Sequence, residues 1–249
     1  MEGSAISISE EAWQRRYTDF PVGMVEACLW LAAVYAIPSA AQEAMKWLNY
    51  KLPDGVPRFT PQVLIMSVLA IAFIMYWKLG RRAKLGALGI SMRELPRDLA
   101  ITLVGAVVCA IVYVAVIGAV YVASPWVSQG DTAFRQFVRG AGFSDNSVVG
   151  IFMVVVMFPL LEEFWFRGVL FTPLRKEFRR WLAIVFCAVI FAAMHYPSVQ
   201  IPINQLFGGL VFSWVYDRRR SLVAPVLLHM AGNGSLALVS MLATQWGFK

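Results

Sequence analysis

Hydrophobic residues in this chain fall into long blocks separated by short polar connections. The blocks lie near 21–42, 62–79, 99–125, 148–172, 181–197, 201–217 and 221–246. A helix that crosses a bilayer needs about 20 mostly apolar residues, within a range of about 17–25. The pattern therefore predicts an all-α fold, a polytopic membrane helix bundle of about seven transmembrane helices, or eight at the upper count. Three regions follow: an interfacial segment over 1–20, N-terminal transmembrane helices over 21–147, and a helical core over 148–249.

Two polar stretches carry weaker helical patterns. Residues 1–20 include Glu10, Glu11, Arg15, Arg16 and Asp19, so no cleavable signal peptide is expected there. Ser7 and Glu10 have capping-box spacing, and Trp13, Tyr17 and Phe20 recur at helical spacing. A short interfacial helix is expected, with an unordered tail as the alternative. In the connection 126–147, Asp131 precedes Phe134, Phe137 and Val138, a pattern for a short amphipathic helix on the outer face. A plain surface helix is the reading there, ahead of a gating lid.

Composition changes the picture by fixing the solvent. Hydrophobic residues are 59% of the 249 and charged residues 15%, against about 45–50% and about 25% in soluble domains. So little polar surface cannot clothe such a chain in water, and disorder or a small disulfide scaffold is excluded. The net charge of +7 does not indicate nucleic acid, because it forms neither a basic helical stripe nor a binding motif. Arg15, Arg16 and the loops 78–97, 175–180 and 218–220 hold most of the 22 Lys and Arg. By the positive-inside bias this gives an N-in, C-out chain. The three cysteines, Cys28, Cys109 and Cys187, lie far apart within apolar blocks and read as small core- or lipid-facing residues.

The informative positions are polar groups inside the blocks. An ionisable residue at mid-membrane costs at least about 2.5–3.5 kcal/mol and marks function by default. The fourth block carries Glu162, Glu163 and Arg167. Glu163 and Arg167 are four apart and share a helical face, so they are expected to pair. Glu162 projects about 100° away and is left to meet another helix. Pro159 removes a helical hydrogen bond just before them. The only two histidines, His195 and His229, also fall in apolar blocks, four residues after Phe191 and four before Asn233. A lone membrane histidine is more often a helix-packing hydrogen bonder, but two of them with an unpaired glutamate and an asparagine favour a functional site. Gly232 and Gly234 are expected to let another backbone approach.

Glu162-Glu163-x-x-x-Arg167, Phe191-x-x-x-His195 and His229-x-x-x-Asn233 resemble, in order, the three motifs of the CPBP family, the CAAX proteases and bacteriocin-processing enzymes. The resemblance covers roughly 148–235. It implies peptide-bond hydrolysis within the membrane, on a membrane-associated or C-terminal peptide or protein substrate. It makes 148–249 a CPBP-like catalytic core. Burial penalises a carboxylate's charge, which suits Glu162 to general base work. Glu162 with His195 is expected to hold and deprotonate the attacking water. His229 and Asn233 are expected to face the oxyanion. Glu163 and Arg167 form a supporting pair, and Phe191 packs the helix.

The same residues leave a zinc reading open, with Glu162, His195 and His229 as ligands and one position for water. Glutamate-dependent hydrolysis without a cofactor is favoured. Cys187 and Ser235 are poorly placed for nucleophilic catalysis. Two other classes compete: a non-catalytic scaffold, immunity or assembly protein using the same polar pocket, and a transporter, which lacks the expected inverted repeat. Expected partners are the bilayer and the peptide substrate. A prokaryotic cell membrane is favoured over the endoplasmic reticulum of a eukaryote. One mismatch stands against a site: at about 1.5 Å per residue, Glu162 and His195 lie about 20 Å from the inner boundary and His229 only about 12 Å.

Overall fold

The structure is a computed structural model and describes residues 20–57, 59–90, 95–123, 148–195 and 202–245. Among these residues there are helices and turns and no strand. The helices are α1 (Met24–Trp47), α2 (Thr60–Gly80), α3 (Leu95–Ala123), α4 (Val148–Glu177), α5 (Arg180–Ala193), α6 (Ile203–Arg219) and α7 (Val223–Gln245). Each falls on one hydrophobic block. Three of them, α1, α2 and α4, are long and apolar enough to cross a membrane by length and composition. The interfacial helix expected within 1–20, Phe20 excepted, and the outer helix expected at 131–138 lie outside the described residues.

The molecule is a helical membrane bundle, and its outside shows why. Leu29, Leu64, Val68, Ile71, Leu103 and Ile111 are each more than half exposed. An apolar belt of that kind is tolerated only where lipid is the solvent. Inside, Trp30, Phe73, Trp77, Phe164 and Trp165 interlock edge to face, stacked or tilted. Large rings fill space between helices that cannot pack through small residues alone.

The fourth helix changes register twice. Met153–Met157 and Phe164–Phe171 are π-helical, and each stretch precedes a proline, Pro159 and Pro173. In the π register a carbonyl looks five residues ahead for its partner. For Val154 that residue is Pro159, which has no N–H. Asn233 on α7 supplies the donor instead, with Nδ2 2.9 Å from the Val154 oxygen. The proline thus recruits a neighbouring helix by leaving a carbonyl in need of one.

One end of the bundle is latched by charge. Arg175 and Arg180 meet the two oxygens of Asp217 at 3.1 and 2.7 Å. The buried Asp98 accepts from Arg219 and Ser221, both at 2.8 Å. Arg81 reaches Glu26 at 2.8 Å, and Lys176 donates to the Phe20 carbonyl at 2.6 Å. The basic loops grouped on one side by the Lys and Arg bias are therefore neighbours. Gly89, at φ 82°, sits there because a Cβ would meet the Tyr216 ring at 2.9 Å.

The expected close approach at Gly232 and Gly234 is not found among the described residues. A Cβ at Gly232 would meet nothing within 4 Å among the described residues, and one at Gly234 would make ordinary contact with Val155. The close approach is at Gly209 on α6, where a Cβ would stand 2.9 Å from the Ala188 Cα on α5. Backbone cannot rotate aside as a side chain can. Gly209→Ala gains up to about 1 kcal/mol of helix propensity but incurs about 1–3 kcal/mol of overpacking. The expected outcome is a lower melting temperature in detergent, read by intrinsic fluorescence.

Candidate active site

The polar groups of α4 are organised around Glu163. Its side chain is fully buried, and Oε1 accepts from Arg167 Nη1 at 2.8 Å. The same oxygen lies 2.9 Å from His229 Nδ1 on α7. Arg167, also fully buried, donates from Nη2 to the carbonyl of Gly209 at 3.2 Å. Its guanidinium carbon lies 4.8 Å from the Phe191 ring centre and 5.4 Å from that of Phe212. Desolvated cation–π contacts of this kind reach about 2 kcal/mol. Phe212 in turn stacks on His229, with centroids 4.8 Å apart and planes 24° apart. The expected Glu163–Arg167 pair is present, and it also holds the imidazole of His229.

Glu162 meets both histidines. His195 Nε2 is 3.8 Å from Oε1, and His229 Nε2 is 3.7 Å from Oε2. The second nitrogen of each ring is already assigned by its neighbour. His195 Nδ1 is 2.8 Å from the Phe191 carbonyl, which can only accept, so that nitrogen carries a proton. His229 Nδ1 faces a carboxylate already paired with arginine and donates likewise. Both Nε2 atoms are thereby turned toward Glu162. Phe191, 2% exposed, packs edge-on to the His195 and His229 rings. It serves as the floor under both, beyond the packing expected of it.

The depth mismatch closes in three dimensions. The helix α5 ends at Ala193, and His195 follows on a hydrogen-bonded turn to Ala192. The π-helical turns of α4 hold more residues per turn, which shortens the run beyond Glu162. Asn233 lies on the same helix as His229, one amide hydrogen committed to Val154 and the second without an acceptor among the described residues. Cys187 is buried with Sγ toward the Phe166 carbonyl at 3.6 Å, and Ser235 is exposed and bonds back to Ala231. Neither faces the cluster formed by Glu162 and the histidines.

Gly209 and Phe212 carry no signal in the sequence as site residues. They matter because α6 packs its backbone and one ring against Arg167 and His229, which the spacing along one chain does not specify.

A zinc ion at this site would be bound by Glu162, His195 and His229. Among the described residues, no group of three His, Cys, Asp or Glu is arranged to hold a metal ion. Ligands on tetrahedral zinc at about 2.0–2.1 Å stand about 3.3–3.4 Å apart. The separations of 3.8 and 3.7 Å are wider and fall on different oxygens of Glu162. The three side chains would have to close by a few tenths of an ångström to share one zinc ion.

Residues 144–235 match the family described as Rce1-like, Type II CAAX prenyl endopeptidase Rce1-like. Over 99 residues the chain is 34% identical to the membrane-embedded CAAX protease MroQ of Staphylococcus aureus (strain USA300). That alignment takes in 37% of this chain and 39% of the relative, so the chain spans about two fifths of the relative it matches. No solved structure matches. The matched segment contains Glu162, Glu163, Arg167, His195, His229 and Asn233, and the resemblance read from the three motifs is borne out. The protein is an integral membrane protein.

Proposed function

We propose that this chain, whose residues 144–235 belong to the Rce1-like CAAX protease family, is an intramembrane endopeptidase that uses Glu162 to activate water. The observation that supports this reading is the approach of two imidazole Nε2 atoms to opposite oxygens of one carboxylate, at 3.8 and 3.7 Å. Separations above about 3.5 Å suit a bridging water better than direct hydrogen bonds.

In this reading a water between Glu162 and His195 donates one hydrogen to each. Glu162 takes a proton as the oxygen attacks the scissile carbonyl carbon. The carbonyl electrons move to oxygen, and the tetrahedral intermediate collapses as the C–N bond breaks. Protonated Glu162 then delivers that proton to the leaving amine, so the cycle closes with no net change in the enzyme. His229 donates from Nε2 when it carries both ring protons. Its charge then answers the second of two carboxylates, Arg167 answering the first. Asn233 offers its remaining amide hydrogen beside it. Donors fixed before the reaction are worth several kcal/mol to the oxyanion.

Substrate membership is read from cells: peptides and protein termini that accumulate uncleaved when Glu162 is replaced by glutamine identify what is cut. If the membrane termini of wild-type and Glu162→Gln cells are the same, the protease reading is overturned in favour of a scaffold. Metal dependence has its own outcome. Purified protein in liposomes is expected to keep its activity after exhaustive chelation with 1,10-phenanthroline. Loss of activity restored by zinc would establish the metalloprotease alternative.

A further inference from the structure

The three motifs all lie in the C-terminal part of the chain, and α1 carries none of them. Its packing nevertheless brings one polar group to the site. The helices α1 and α4 run antiparallel: Phe20 meets Lys176, and ten residues later Trp30 stacks on Trp165 with centroids 6.0 Å apart. Continuing that register by five residues sets Tyr35 level with the turn that bears Glu162. Side chains lean toward the N-terminus of their own helix, so on antiparallel neighbours Tyr35 and Glu162 lean toward each other. Tyr35 packs edge-on against Phe166, centroids 6.1 Å and planes 69° apart. Phe166 is four residues after Glu162 and lies on the same face of α4.

The Tyr35 hydroxyl is shielded from solvent and has no hydrogen-bond partner among the described residues. Buried tyrosine hydroxyls ordinarily find one. Packing against Phe166 needs only a ring, and phenylalanine would supply it without burying an unmatched O–H.

We infer that Tyr35 is a further catalytic residue, its hydroxyl donating a hydrogen bond to the scissile carbonyl oxygen beside Glu162 as negative charge develops there. This rests on the protease reading above. It also gives α1 a part in the chemistry: the N-terminal helices are then part of the catalytic unit and not only its membrane anchor. The phenol and the Asn233 amide would approach the oxyanion from different helices. Such a donor is unpaired before substrate arrives and satisfied only in the complex, so it acts mainly on the transition state.

The test compares wild type, Tyr35→Phe and Glu162→Gln in liposomes. The probe is an internally quenched peptide built on the terminus that accumulates most in Glu162→Gln cells. Removing one oxyanion donor lowers kcat by about 10²–10³-fold. Tyr35→Phe is expected to show a fall of that order with KM within about twofold and an unchanged or higher melting temperature. A Tyr35→Phe protein as active as wild type, beside an inactive Glu162→Gln, overturns this inference and leaves the protease reading intact. A loss accompanied by a lowered melting temperature and a raised KM assigns Tyr35 to packing and overturns it equally. If no terminus accumulates in Glu162→Gln cells, the protease reading fails and this inference falls with it.

Discussion

Glu162→Gln is expected to lower kcat by about 10²–10⁴-fold, the contribution of a positioned general base, without unfolding the protein. Glutamine keeps the volume and the reach of the side chain, so the aromatic packing around Phe166 and Phe191 has no reason to change. Glu162 makes no direct hydrogen bond to either histidine at 3.7–3.8 Å, so its replacement orphans no buried donor. The melting temperature should therefore stay within a few degrees while hydrolysis of the quenched peptide falls by that factor. Glu162→Asp provides a graded control. It keeps the charge but withdraws it by about one methylene, and a misplacement of about 1 Å costs about 10²-fold. Activity of Glu162→Gln equal to wild type would remove Glu162 from the mechanism.

The second large effect is on Glu163, and it is one of stability and activity together. Glu163→Ala leaves the guanidinium of Arg167 fully buried, held among the described residues by the Gly209 carbonyl and three aromatic faces, Phe166, Phe191 and Phe212. Breaking one side of a buried pair costs about 3–5 kcal/mol, because an unanswered charge remains inside. The single variant is expected to melt well below wild type. The combination Glu163→Gln with Arg167→Met removes both charges at similar volume and should recover most of that loss. It should not recover hydrolysis, because the carboxylate that fixes Nδ1 of His229 is gone. Thermal unfolding and the peptide assay on the same samples separate the two roles. A double variant that regained both would show that Glu163 and Arg167 serve packing alone.

Much of this site is legible along the chain because helical spacing is local. Glu163 and Arg167 are four apart, so their pairing follows from the pitch of a helix wherever the bundle places it. The same arithmetic leaves Glu162 on another face and in need of a partner from elsewhere. It does not say which partner. The depth estimate set His229 about 8 Å from the level of Glu162 by counting residues at about 1.5 Å each. That count treats every helix as straight, perpendicular and α-helical, and α4 contains two π-helical stretches. The glycine expectation is not met among the described residues, for a related reason. A small residue permits close approach, but whether a neighbour comes near depends on the neighbouring helix, and α5 approaches Gly209 on α6 instead.

Composition and helical spacing suffice to show that this is a helical membrane protein, where its apolar helices fall, and which few polar groups lie where lipid should be. Those are properties of composition and of spacing within one helix. It takes the packed bundle to show that Glu163 serves Arg167 and His229 at once, that Asn233 caps the carbonyl left open before Pro159, and that Tyr35 of α1 packs edge-on against Phe166 of α4. The physical reason is the same in each case. A buried donor or acceptor takes the partner that packing brings within reach, and that partner is set by how separate helices are packed.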